Sequence, residues 1–96
     1  MRDIDPAPIR AALARLEGVD ATERAHFAAA ERWRDRMLAD DAAIDAFVAA
    51  HAGVARAEVV ALVHDARAER ASGRPPHRFR ALFRLIARAT VADVSP

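Results

Sequence analysis

Three arginines, Arg80, Arg84 and Arg88, recur at every fourth residue late in the chain, with His77 just ahead of them. At about 100° per helical residue this spacing holds the guanidiniums in one stripe along one face. Between residues 77 and 92 there is no Asp or Glu to pair with them at i,i+4. A guanidinium stripe without carboxylates beside it is suited to phosphates. The bland alternative is a solvated surface, because arginine is a good helix former and the outer face of a surface helix is usually charged. Arg67, Arg70, Arg74 and Arg78 carry the positive charge further upstream. Residues 67–96 hold seven Arg against two acids, a balance of +5, and residues 1–66 hold eight Arg against twelve acids, a balance of −4. The formal net charge of +1 therefore hides a dipolar chain. Such asymmetry is a hint of an anionic partner, for which nucleic acid is the commonest candidate.

Other chemistries fit less well. His26, His51, His64 and His77 are spread along the chain with no His-x-x-x-His or Glu-x-x-His that would set two ligands on one helical face, so no metal site is expected. His64-Asp65 resembles a phosphohydrolase dipeptide, but neighbours on a helix point about 100° apart and no second ligand pair accompanies them. His64 is expected on a helix surface. Without cysteine there is no disulfide, thiolate ligand or Cys nucleophile, and a reducing cytoplasm is consistent with that. Ser72 and Ser95 are the only serines and the three glycines are isolated, which argues against a serine triad and a phosphate-binding loop. The expectation is a protein that is not an enzyme, with no cofactor and no small-molecule substrate. No apolar run reaches the length of a membrane span, so no membrane partner is expected.

The elements that must position the arginines are helices. Alanine is abundant, glycine scarce, and the β-branched residues too scattered to alternate over a strand. The sequence predicts an all-α protein, a compact bundle of about five short helices, with residues 1–90 as a single helical domain and 91–96 as a frayed tail. Asp5 as cap, Pro6 at the first position and Gly18 beyond the end predict a helix over about 6–17, with Ile9, Leu13 and Leu16 as its buried stripe. Asp20 and Glu23 form a capping pattern for a second helix to about residue 39, with Phe27, Ala30, Trp33 and Met37 on its packing face. Trp33 could stack on a base, but its place on that stripe favours core.

Asp40 and Asp41 predict a cap for a third helix over about 42–51, with Ile44, Phe47 and Val48 inward and Gly53 beyond. A fourth, over about 55–72, buries Val59, Leu62, Val63 and Ala66 and stops at Gly73. Pro75 and Pro76 separate it from a fifth helix beginning near His77. In that helix Phe79, Leu82, Phe83 and Ile86 form the apolar stripe roughly opposite the arginines. The periodicity gives out at Thr90. With Phe27, Trp33, Phe47, Phe79 and Phe83 all assigned to the core, no aromatic remains to stack on bases. Contact through the arginines is then expected with backbone phosphates and RNA shape.

Two blocks resemble a known family. Glu31-Arg32-Trp33-Arg34-Asp35-Arg36-Met37-Leu38 is similar to its Glu-Arg-Trp-Arg-Asp-Arg-Leu-Leu segment. Asp65-Ala66-Arg67-Ala68-Glu69 and Arg74-Pro75-Pro76-His77-Arg78-Phe79-Arg80-Ala81-Leu82-Phe83 resemble its Asn-Ala-Arg-Lys-Glu and Lys-Pro-Pro-Lys-x-Phe-Arg-x-Leu-Phe segments. The family is the bacterial dual-action ribosomal maturation protein, or DarP, family, and the resemblance covers nearly the whole chain. It implies an all-helical, cytoplasmic, non-enzymatic factor that associates with large ribosomal subunit precursors and their rRNA and supports maturation of the peptidyl transferase region. Family members carry a further basic, helical part ahead of this point. The resemblance therefore implies that Met1 is an internal methionine of a longer protein or a mis-set start, with apolar surface left open on the first helix. Its basic segment coincides with the residues expected to meet RNA: Arg67, Arg70, Arg74, His77, Arg78, Arg80, Arg84 and Arg88. The competing functions are a helix-turn-helix DNA-binding protein, with Arg80 and Arg84 on base edges, and a non-catalytic helical protein-interaction module.

Overall fold

The computed structural model describes residues 6–94, and all of its regular structure is helical. Four helices follow in order: α1 (Ala7–Ala39), α2 (Asp41–Ala50), α3 (Arg56–Ser72) and α4 (His77–Val94). The count is four because the first two expected helices are one. Gly18 and Asp20 lie inside α1, so neither acts as stop or cap. A helical glycine costs only about 1 kcal/mol relative to alanine. The good helix formers on either side outweigh that, and the Thr22 hydroxyl donates to the Gly18 carbonyl at 2.9 Å within the unbroken ladder. The cap expected at Asp5 falls outside the described residues.

At 33 residues α1 is roughly 50 Å long, and the molecule is correspondingly elongated, 63 × 31 × 17 Å. The expected burial of Ile9, Leu13 and Leu16 does not occur among the described residues. Each is more than half exposed, as is Val19, because this end of α1 runs beyond the other helices. The core lies toward the other end. Met37, Phe47, Val59, Val63, Leu82, Ile86 and Thr90 are fully buried there, and Ala30 and Ala66 let the backbones approach closely. α4 packs against both α1 and α3. Its buried face is centred on Leu82, Leu85 and Ile86, whereas Phe79 and Phe83 are only partly covered. The helix also passes Thr90, where the sequence pattern ends. The Thr90 hydroxyl is buried and donates to the Ile86 carbonyl at 2.9 Å, so the last turns extend to Val94.

The remaining boundaries follow the local signals. Asp40 adopts an extended conformation, and its carboxylate accepts from the Ala42 N–H at 2.9 Å to start α2. Trp33 is partly buried and sets its ring edge-on against Phe47, 5.3 Å away between centroids. Arg36 covers the indole from outside at 4.7 Å. Gly73 closes α3 in the left-handed region, with φ 67° and ψ 20°, and the Arg74 N–H returns to the Glu69 carbonyl at 3.1 Å. A Cβ at Gly73 would meet nothing within 4 Å, so the cost of Gly73→Ala is purely conformational. At about 1 kcal/mol it is expected to lower the melting temperature by roughly 4–8 °C. A thermal melt followed by circular dichroism checks this.

Candidate nucleic-acid interface

The turn between α3 and α4 has to satisfy the first N–H groups of α4, since those of a helix start have no partner in their own ladder. Pro75 and Pro76 lack N–H groups and no Ser, Thr, Asp or Asn stands beside them to act as a local cap. The acceptor comes from the preceding helix. Glu69, which is buried, accepts from the Arg78 N–H at 2.8 and 3.0 Å and from the Phe79 N–H at 3.0 Å. The His77 N–H reaches the Pro75 carbonyl and the Arg80 N–H the Pro76 carbonyl, at 2.9 and 3.1 Å. Burial pushes the Glu69 carboxyl upward, but hydrogen bonds from the Arg78, Phe79 and His77 backbone, together with the His77 charge, outweigh this. The net effect holds the carboxyl below its ordinary value. Glu69 therefore fixes where α4 begins, and with it the phase of the arginine stripe. Sequence reasoning did not single it out. The signal was the uncapped helix start itself, which required an acceptor from elsewhere.

Arg80, Arg84 and Arg88 stand exposed along α4, and none of their guanidiniums makes a hydrogen bond or ion pair with another described residue. Arg80 does not hold Asp35, which is bonded instead to Arg34 at 3.0 Å. Glu31 from α1 and Glu58 from α3 line clefts on the two flanks of the stripe without closing a salt bridge to it. The absence of acids from residues 77–92 thus extends, for these three guanidiniums, to an absence of pairing in three dimensions among the described residues.

The other expected site residues divide. Arg70, Arg74, His77 and Arg78 are exposed around the α3–α4 turn. Arg74 Nε donates to the Ser72 hydroxyl at 2.7 Å, Arg78 lies 3.9 Å from Asp65, and Arg70 leans over the Phe79 ring at 5.8 Å. All four keep donors open to solvent. Arg67 is committed elsewhere. Its guanidinium donates to the carbonyls of Met37 and Leu38 at 2.7 and 3.1 Å and pairs with Asp41 at 2.8 Å. It ties α3 to the C-terminal end of α1, where unsatisfied carbonyls and the helix dipole favour a cation. His64 is exposed, and no cluster of three His, Asp or Glu suited to a metal ion occurs among the described residues. No described helix is long and apolar enough to cross a membrane.

The aromatic residues depart from the expectation of full burial. Phe27 is 52% exposed. Its ring lies nearly parallel to that of Phe83, with centroids 5.7 Å apart and an interplanar angle of 12°. The Arg34 guanidinium stands over the Phe79 ring at 4.7 Å and near the Phe83 ring at 5.6 Å. These side chains, with Glu31, Arg80 and Arg84, line a cleft of about 450 Å³ between α1 and α4. Aromatic faces and unpaired guanidiniums therefore share one groove.

Comparison with known proteins bears on the same residues. The family model described as dual-action ribosomal maturation protein DarP matches residues 1–87. A curated protein of that name from Thiobacillus denitrificans is 44% identical over 92 residues, covering 96% of this chain and 52% of the relative. Its counterpart in Methylobacillus flagellatus is 39% identical, with 96% and 51% covered, and that of Neisseria meningitidis serogroup B is 41% identical, with 86% and 49% covered. The chain thus spans about half the length of the curated relatives it matches. No solved structure matches it. The matched region contains both blocks of resemblance, the Glu69 cap and most of the arginine stripe, and the chain belongs to the dual-action ribosomal maturation protein DarP family.

Proposed function

We propose that this chain is a non-catalytic ribosome biogenesis factor, acting in the cytoplasm, that binds large-subunit precursor particles through their rRNA and supports maturation of the peptidyl transferase region. The observation that carries this reading is the stripe of Arg80, Arg84 and Arg88, exposed and unpaired along α4 while Leu82, Leu85 and Ile86 anchor the helix from beneath. Surface cations of this kind meet phosphates, and phosphate contacts supply most sequence-independent affinity for nucleic acid. Arg70, Arg74, His77 and Arg78 continue the same surface around the turn. Arg67 is left out of the binding set because its donors are used within the fold. The names of the curated relatives, ribosomal maturation proteins, support the choice of RNA over DNA. No cofactor takes part, and the particle as a whole would supply specificity.

Sedimentation of lysate through a sucrose gradient tests the proposal. The protein is expected among large-subunit particles at low salt, and a salt wash should release it. Finding it only at the top of the gradient, with unchanged position after nuclease treatment, would instead suit a DNA-binding protein or a protein-interaction module.

A further inference from the structure

We infer that the outer face of Phe27 is a stacking site for one unpaired nucleobase, whose flanking phosphates lie on Arg80 and Arg84. The inference rests on the RNA-binding reading and deepens it. Phe79, Phe83 and Phe27 form a ladder along the α1–α4 groove. The Arg34 guanidinium covers Phe79 at 4.7 Å and reaches Phe83, and Phe83 lies parallel beneath Phe27. The inner rungs are thereby occupied. Phe27 lies parallel to Phe83, with the His26 ring tilted beside it at 6.3 Å, and still keeps half its surface in solvent, so the ladder ends on a ring open to a further partner.

What surrounds that ring selects its occupant. Arg80 and Arg84 border the same cleft and have no ion partner among the described residues. An apolar protein side chain would cover Phe27 but leave two guanidiniums stranded at the edge of a drying contact, which is unfavourable. A nucleotide carries a flat π face and an anion in one unit and satisfies both. The base has to be unstacked, because in a duplex the base faces are stacked on one another and cannot meet a phenylalanine ring. Stacking on a phenylalanine is tolerant of sequence, since every base has a π face. The site therefore discriminates single-stranded or looped RNA from duplex without reading a sequence.

The test uses two single-stranded probes of equal charge, hexauridylate and a hexamer of the same backbone lacking its bases, with binding measured by anisotropy at fixed salt. The wild-type chain is expected to bind hexauridylate about ten-fold more tightly than the abasic hexamer. Phe27→Leu should erase that preference while keeping the affinity for the abasic backbone, and Phe27→Tyr should retain it. Equal wild-type affinity for the two probes, with clear salt dependence, overturns the stacking site and leaves the phosphate reading intact. Binding to neither probe overturns both. A shift in oligomeric state on Phe27→Leu, with the probe preference unchanged, makes the ring a protein contact and likewise overturns the inference. The wild-type comparison needs no variant, so poor folding of Phe27→Leu does not remove the test.

Discussion

Changing Arg80, Arg84 and Arg88 together to Gln is expected to abolish co-sedimentation with large-subunit particles while leaving the fold unchanged. The three guanidiniums make no hydrogen bond or ion pair with the described residues, so their removal strips nothing from the folded state except solvated charge. Surface substitutions of this kind usually shift stability by no more than about 0.5 kcal/mol. Leu82, Leu85 and Ile86 remain buried beneath, and Gln is a good helix former. Binding behaves differently. For every phosphate that is no longer neutralised, the dependence of log affinity on log salt should flatten by roughly 0.7 to 0.9, so the triple variant should show a slope shallower by roughly two to three units. Arg80→Gln alone should melt with the wild type, because Asp35 is held by Arg34. If the triple variant keeps both its affinity and its salt slope, the stripe is a solvated face and RNA is bound elsewhere.

Glu69→Gln is expected to be the most destabilising single change at the α3–α4 turn, and its effect should depend on pH in a defined direction. The carboxylate holds the Arg78 and Phe79 N–H groups and sits at the positive end of the α4 dipole. An amide offers one acceptor oxygen instead of two and no charge. Because the folded-state pKa of Glu69 is lowered, its contribution is fully present above the unfolded-state pKa and is lost as pH falls through the folded value. At pH 7 the variant should melt roughly 5–10 °C below the wild type. From about pH 5 downward the two melting curves should approach one another as the wild-type carboxyl takes up its proton. A gap that stays constant to about pH 3, well below the ordinary carboxyl range, would mean that the charge is not what anchors α4.

Where the sequence carried its own punctuation, the elements stand close to where they were expected. Asp40 caps α2, Gly73 takes a positive φ at the end of α3, and Pro75-Pro76 precede α4. Leu82 and Ile86 are buried as their spacing requires. The failures have a common cause. Gly18 and Asp20 have the types of a stop and a cap, but a break in a helix is decided by whether the two halves have different places to pack. Here Ala30 and Met37 dock under the bundle while the preceding turns have nothing to fold back upon among the described residues. Burial of Phe27 was inferred from its stripe, yet a stripe shows only which residues share a face. It does not show how far along the helix a neighbour extends. The charge of Arg67 suggests a contact with RNA but does not reveal its bonds to Met37, Leu38 and Asp41, which reach across roughly thirty residues of sequence that no local pattern connects. Glu69 reaches only nine and ten residues ahead, to the Arg78 and Phe79 N–H groups, but across a turn that no helical periodicity spans. Both lie in the Asp65-Ala66-Arg67-Ala68-Glu69 block, so that part of the family resemblance marks the clamps that join helices. The block thus identifies the fold more directly than it identifies the proposed RNA surface.

The length of α1 has a bearing on how the helix can exist at all. Initiating a helix in water is unfavourable by a factor on the order of 10⁻³, and an isolated segment as short as the outer half of α1 would be marginal at best. That half need not initiate. Its first turn is supplied by the stretch around Ala30 and Met37, which is locked in place by packing, and each residue toward the N-terminal end adds only a propagation step. Gly18 is the least favourable of those steps. Helicity before it is consequently a dependent property, an extension templated from the docked end. The reach of Ile9, Leu13 and Leu16 away from the bundle is thus set by side chains that lie several turns away from them.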